Sequence, residues 1–95
     1  MTLRFIINPI SGKAKHLRIT ELIEIYLDLT KYSYDCVFTE RRKHATELAK
    51  QASDENIDVV IAVGGDGTVN ECAKGVLGTR TALGIIPCGS GNGFA

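Results

Sequence analysis

Apolar positions along this chain alternate between two spacings. Short, nearly continuous apolar runs occupy 3–8, 34–39, 58–63 and 82–87, with the length and composition of buried strands. Between them, Ile19, Leu22, Ile23, Tyr26 and Leu29 mark one face of a helix over 14–29. Ala45, Leu48, Ala49 and Ala52 do the same over 44–52, and Val69, Cys72, Ala73, Val76 and Leu77 over 69–77, all at steps of three and four. The order β-α-β-α-β-α-β predicts an α/β domain: a parallel sheet with helices on both faces, a Rossmann-like three-layer α/β/α arrangement. Such sheets bind ligands beyond the carboxyl ends of their strands. The chemically suggestive segments all fall there: Asn8 to Gly12, Thr39, Gly64 to Thr68, and Gly89 to Asn92.

The segment from Asp58 to Glu71 carries the strongest signal. Val59 to Val63 is a β-branched run of the kind a strand buried on both faces needs, and Gly64, Gly65 and Gly67 follow it at once. These glycines allow positive φ and leave no Cβ in the way of a phosphate. The helix after them offers unpaired N–H groups and the positive end of its dipole to an anion. Asp66 sets this turn apart, because a carboxylate beside a phosphate is repulsive unless a divalent cation or a transferable proton lies between them. The combination points to phosphoryl chemistry on a nucleotide. Two common phosphate motifs are excluded. Around Gly12-Lys13, Ile7 and Ala14 stand where a Walker A loop needs Gly and Ser or Thr. Asn70 stands where the dinucleotide pattern needs its third glycine.

Ninety-five residues make one small domain. The net charge of zero gives no electrostatic case for a nucleic-acid partner, although nine of the eleven basic residues lie in the first fifty positions. Cys36, Cys72 and Cys88 are odd in number and lack C-x-x-C spacing, so they read as buried free thiols of a cytoplasmic protein. The glycine-rich loop after 82–87 ought to open another helix, yet only Phe94 and Ala95 follow. The chain therefore reads as a piece of something longer, with an apolar edge past Ile85-Ile86-Pro87 that self-association as a dimer would cover.

Asn8-Pro9-Ile10-Ser11-Gly12, Gly64-Gly65-Asp66-Gly67-Thr68, Asn70-Glu71 and Gly89-Ser90-Gly91-Asn92 occur here in order. Through these motifs the whole chain resembles the catalytic domain of the diacylglycerol kinase family, which includes bacterial lipid kinases, sphingosine kinases and ceramide kinases. NAD kinases share a related GGDG turn but lack the early NPxSG segment. The resemblance implies transfer of the γ-phosphoryl group of ATP, with Mg²⁺, to a lipid hydroxyl at a membrane surface. It also implies two domains, of which 1–95 would be the ATP-binding part and a β-rich C-terminal domain the rest. Carried over by position, Asn8, Thr39, Gly64, Gly65, Asp66, Gly67, Thr68, Val69, Asn70, Glu71 and Ser90 would line the ATP site. Asp66 aligns with the residue assigned as general base in sphingosine kinases, while in bacterial relatives an acid of the second domain has that task. Ser90 stands where threonine is frequent, and Gly93 where many members have aspartate.

Several of these residues also have ordinary readings. Asn8-Pro9 is a common turn opener. Thr68 and Glu71 match the capping box S/T-x-x-E, which would confine Glu71 to the helix cap. Lys13 and Lys15 read as solvated side chains ahead of a helix. His44, near a helix start and without an identifiable acid partner, reads as a solvated or helix-packing residue and not as a catalyst. Two competing functions remain beside the lipid kinase: a NAD kinase-like enzyme with a soluble substrate, and a non-catalytic nucleotide-binding module.

Overall fold

The computed structural model describes residues 1–8 and 30–87. It contains strands β1 (Thr2–Ile7), β2 (Ser33–Phe38), β3 (Val59–Gly64) and β4 (Ala82–Pro87), with helices α1 (His44–Asp54) and α2 (Asp66–Val76). The helix expected over 14–29 and the loop after β4, including Cys88 and Ser90, lie outside the described residues. All four strands are parallel, in the order β2-β1-β3-β4. From β1 the chain first steps to one side and then returns to the other. The topological switch point therefore lies between the carboxyl ends of β1 and β3.

Strand alternation divides the core in two. Ile6, Val60 and Ala62 face one way and meet Ala45, Ala49 and Ala52 of α1 and Cys72 and Val76 of α2. Leu3, Phe5, Ile7 and Val63 face the other way, with Tyr34, Cys36 and Ile61 packed against them. Phe5 and Tyr34 meet edge to face with ring centroids 5.8 Å apart, a favoured aromatic geometry. Both described helices lie on the first face and touch each other closely. At Gly75 an added Cβ would collide with Ala49 Cβ and lie 2.6 Å from the Thr46 carbonyl oxygen, so only glycine fits between the two backbones.

Both helix boundaries differ from the periodicity. α1 runs to Asp54, two residues past the last apolar position, because a Schellman motif ends it. Ile57 N–H donates to the Ala52 carbonyl at 2.9 Å and Asn56 N–H to that of Ser53 at 3.0 Å. Asn56 takes the left-handed conformation, φ 62°, which asparagine tolerates better than most residues. α2 begins at Asp66 with Gly65 as its N-cap, and no side chain caps it. Thr68 thus lies inside the helix, and the capping-box reading of Thr68 and Glu71 is overturned.

The amino ends of the strands are tied together by polar contacts. Arg4 makes two bonds to Asp35, its cross-strand partner, at 2.8 and 2.9 Å, and a third to Glu55 at the end of α1 at 3.0 Å. Hydrogen bonding to Asp35, and then to Glu55, raises the guanidinium further above its usual range. Asp58 accepts from Thr2 N–H at 2.7 Å, and the buried Thr81 hydroxyl donates to the Ile57 carbonyl at 2.8 Å. Among the described residues, no helix is long and apolar enough to cross a membrane.

Candidate functional site

A cleft of 180 Å³ opens at the switch point, lined by Asn8, Thr39, Arg41, Arg42, Gly67, Thr68 and Glu71. Three chain segments build it. Asn8 follows β1 and is held by its N–H, which donates to the Val63 carbonyl at 3.0 Å. Its side-chain amide reaches across to Thr68 Oγ1 at 3.4 Å, a long hydrogen bond that spans the junction of β1 and β3. Thr39 continues the pairing of β2 with β1 through its N–H to the Ile7 carbonyl at 2.9 Å. Gly67, Thr68 and Glu71 come from the first turns of α2.

The glycines have unequal tasks. Gly64, φ 159°, is required by contact: a Cβ there would lie 2.7 Å from Thr68 Oγ1 and 3.0 Å from Thr68 Cβ. That glycine lets the buried Thr68 pack under the turn. Gly65, φ −87°, and the helical Gly67 do not use positive φ, contrary to the sequence expectation. Their value is space. An added Cβ at either would meet no described residue within 4 Å, so among the described residues the surface over the N-terminus of α2 is open to a ligand. The exposed backbone donors of that first turn, left without a side-chain cap, suit an anion such as a nucleotide phosphate.

Asp66 is the first residue of α2 and is exposed. The helix dipole alone favours a carboxylate there, an ordinary role that the sequence did not suggest. Among the described residues no group of three or more His, Cys, Asp or Glu side chains is arranged to hold a metal. The donor set is still compatible with Mg²⁺, which commonly takes one or two carboxylates and completes its shell with phosphate oxygens and water.

The remaining candidates fall on different sides of the cleft wall. Val69 packs against the helix-covered core, which leaves its backbone as the part nearest any ligand. Asn70 is exposed and outside the lining. Glu71 lines the cleft, yet its carboxylate is engaged: Oε2 accepts from Lys43 N–H at 3.2 Å, while its backbone carbonyl accepts from the Thr46 hydroxyl at 2.9 Å. It ties α2 to the start of α1. Sequence reasoning missed Arg41 and Arg42, whose nearness to the turn depends on the position of the β2–α1 loop. Arg41 bonds both oxygens of Glu47, at 3.0 and 2.9 Å, and Arg42 forms no ion pair among the described residues. Cys72 is buried in the core and its thiol is pushed up to about 12 by that burial and then by the Glu71 charge. Burial, then Asp35, also raises Cys36. Cys72 is an inert core thiol, as the sequence suggested, whereas Cys36 on the edge strand β2 is only half-buried.

Comparison with known proteins agrees with this architecture. The model of the diacylglycerol kinase catalytic domain matches residues 2–95. The chain is 43% identical over 95 residues to a diacylglycerol kinase of Staphylococcus aureus, strain bovine RF122 / ET3-1, covering 96% of this chain and 30% of that protein. It is 41% identical over 93 residues to that of Staphylococcus haemolyticus, covering 96% of this chain and 28% of the relative. A crystal structure of a diacylglycerol kinase from Bacillus anthracis str. Sterne superposes with a TM-score of 0.71 at 31% identity, over 98% of this chain and 35% of that one. The chain thus spans about a third of the length of the proteins it matches. With the family model matching nearly every residue, the chain belongs to the diacylglycerol kinase catalytic domain family.

Proposed function

We infer that this chain is the nucleotide-binding part of an ATP-dependent lipid kinase that transfers the γ-phosphoryl group to a lipid hydroxyl. One observation carries the reading within the fold: the switch-point cleft ends on a helix N-terminus without a side-chain cap, where no described residue fills the space over Gly65 and Gly67. A nucleotide phosphate fits that space. Phosphoryl transfer depends on positioning and charge stabilisation, and this chain's residues divide those tasks. The first-turn N–H groups of α2 receive phosphate oxygens, Thr68 and Asn8 shape the floor, and Arg42 adds positive charge at the rim. Asp66, the exposed first residue of α2 beside but not within the cleft lining, would hold Mg²⁺ against the phosphates or accept the proton of the attacking hydroxyl. Mg²⁺, when bound, would neutralise charge on the transferred group. Family membership favours a lipid acceptor over the soluble substrates of NAD kinases. The two-thirds of the relatives' length outside this chain would supply the β-rich domain and the lipid pocket, with the enzyme peripheral to the cytoplasmic membrane surface. Residues 1–95 alone would then bind nucleotide weakly and transfer nothing.

The test is nucleotide titration of residues 1–95 followed by amide NMR, with labelled ATP and a panel of lipids given to the intact protein. Amides of 64–70 should shift most, and a lipid should become labelled. Shifts confined to the amino ends of the strands would remove the site. Binding without transfer to any acceptor would favour the non-catalytic module.

A further inference from the structure

We propose that His44 is a positioning residue for the cleft, holding the β2–α1 loop as the wall against which the nucleotide packs; this rests on the nucleotide reading above. The loop contributes Thr39, Arg41 and Arg42 to the lining, and it is an improbable shape to persist unaided. Arg41, Arg42 and Lys43 are three successive cations, and Lys43 adopts the left-handed conformation at φ 65°, which is unfavourable for a non-glycine residue. Besides the Arg41–Glu47 ion pair, two side chains accept hydrogen bonds from the loop backbone. Glu71 on α2 takes the Lys43 N–H at 3.2 Å. His44, half-buried at the first position of α1, takes the Glu40 N–H on Nδ1 at 2.9 Å. The His44 N–H closes the turn by donating to the Arg41 carbonyl at 3.2 Å. The imidazole thus acts through backbone, and its Nδ1 must be unprotonated to accept, with the ring proton on Nε2.

The Glu40–His44 bond is solvent-exposed, so water can replace the acceptor and the fold loses little when it is removed. What is lost is the preset shape of the wall, whose ordering a ligand would then have to supply. This separates a positioning role from a structural one. Asparagine places its Oδ1 near the Nδ1 position, whereas the oxygen of glutamine reaches toward that of Nε2. In the intact protein, ADP titrated calorimetrically with Mg²⁺ should bind His44→Ala and His44→Gln about tenfold more weakly than the unaltered protein. His44→Asn should stay within about twofold, and the melting temperature should scarcely move in any of the three. Amide shifts of 39–43 without nucleotide should accompany the first two variants and be absent from the third. Unaltered ADP affinity in His44→Ala, or an Asn variant as weak as Ala, overturns the proposal and leaves the nucleotide reading standing. Failure of the unaltered protein to bind ADP overturns both.

Discussion

The two ends of the sheet are built for opposite purposes. At the amino ends of the strands polar groups are used up: Arg4 on Asp35 and Glu55, Asp58 on Thr2, Thr81 on Ile57. A shallow groove does lie there between the loops at 53–58 and 78–81; Asp58, Thr79 and Thr81 along it already bond to backbone, while Arg80 forms no ion pair among the described residues. At the carboxyl ends the same strands finish in a turn over space that no described residue fills and a helix start without a side-chain cap among the described residues. On the proposed reading, one parallel sheet separates stability from chemistry. The end that holds the fold is largely satisfied internally, and the end proposed to bind nucleotide leaves donors for something else.

The sharpest way to break this comparison is at Asp66. In the intact protein Asp66→Asn should lower phosphoryl transfer at least about a hundredfold, the scale of losing a proton acceptor or metal contact, with the melting temperature nearly unchanged. Near-normal turnover would return Asp66 to its role on the helix dipole. Gly67→Ala should give effects of opposite sign. The helix gains about 0.5–1 kcal/mol, because no described residue opposes the new methyl, while nucleotide affinity falls about tenfold as the methyl fills the space a phosphate needs. Calorimetric binding beside thermal melts reads both, and tighter binding would show that the space is not used. At the other end, Arg4→Met should cost about 1 kcal/mol of stability, since its acidic partners are half-exposed, and leave nucleotide binding as it was. Weaker binding in Arg4→Met would mean that the ends are coupled.

A pH-dependent effect lies between the ends, at Cys72. Its thiol ordinarily ionises near 9.0 and in the folded chain only at about 12. Across that interval the unfolded chain releases a proton that the folded chain keeps, so stability falls as pH rises from 9 to 12. Urea melts at pH 8 and pH 10.5 should show the loss, and Cys72→Val should reduce it.

The strands were legible because each is a β-branched or apolar run long enough to cross a core, and the helices because Ala45, Ala49 and Ala52, like Cys72 and Val76, repeat with the helical period. The clustering of Asn8, Thr39 and the glycine turn followed from placing all of them at carboxyl ends. What failed was local pattern without tertiary context. Thr68-x-x-Glu71 satisfies the capping-box spacing, but the helix starts earlier, at Asp66, and Glu71 reaches out to Lys43 on another element. The strand order and the approach of Arg41 and Arg42 depend on how segments pack, information that no short window of sequence holds. Glu40 and His44 are neighbours on one loop, yet nothing in their spacing told a ring acceptor from a solvated histidine.

The central position of β1 bears on how the chain is made. Its partners are β2, in register from Thr2 with Ser33, and β3, from Leu3 with Val59. β1 must therefore wait until β3 has been made before both its edges are covered. Parallel pairings at such sequence distances are late and slow to form, and an apolar strand left waiting invites association with other chains. The cleft itself joins residues 8, 39 and 67, so it exists only once those pairings are complete. A ligand seated there would act as a folding clamp, binding the finished sheet and no partly assembled form.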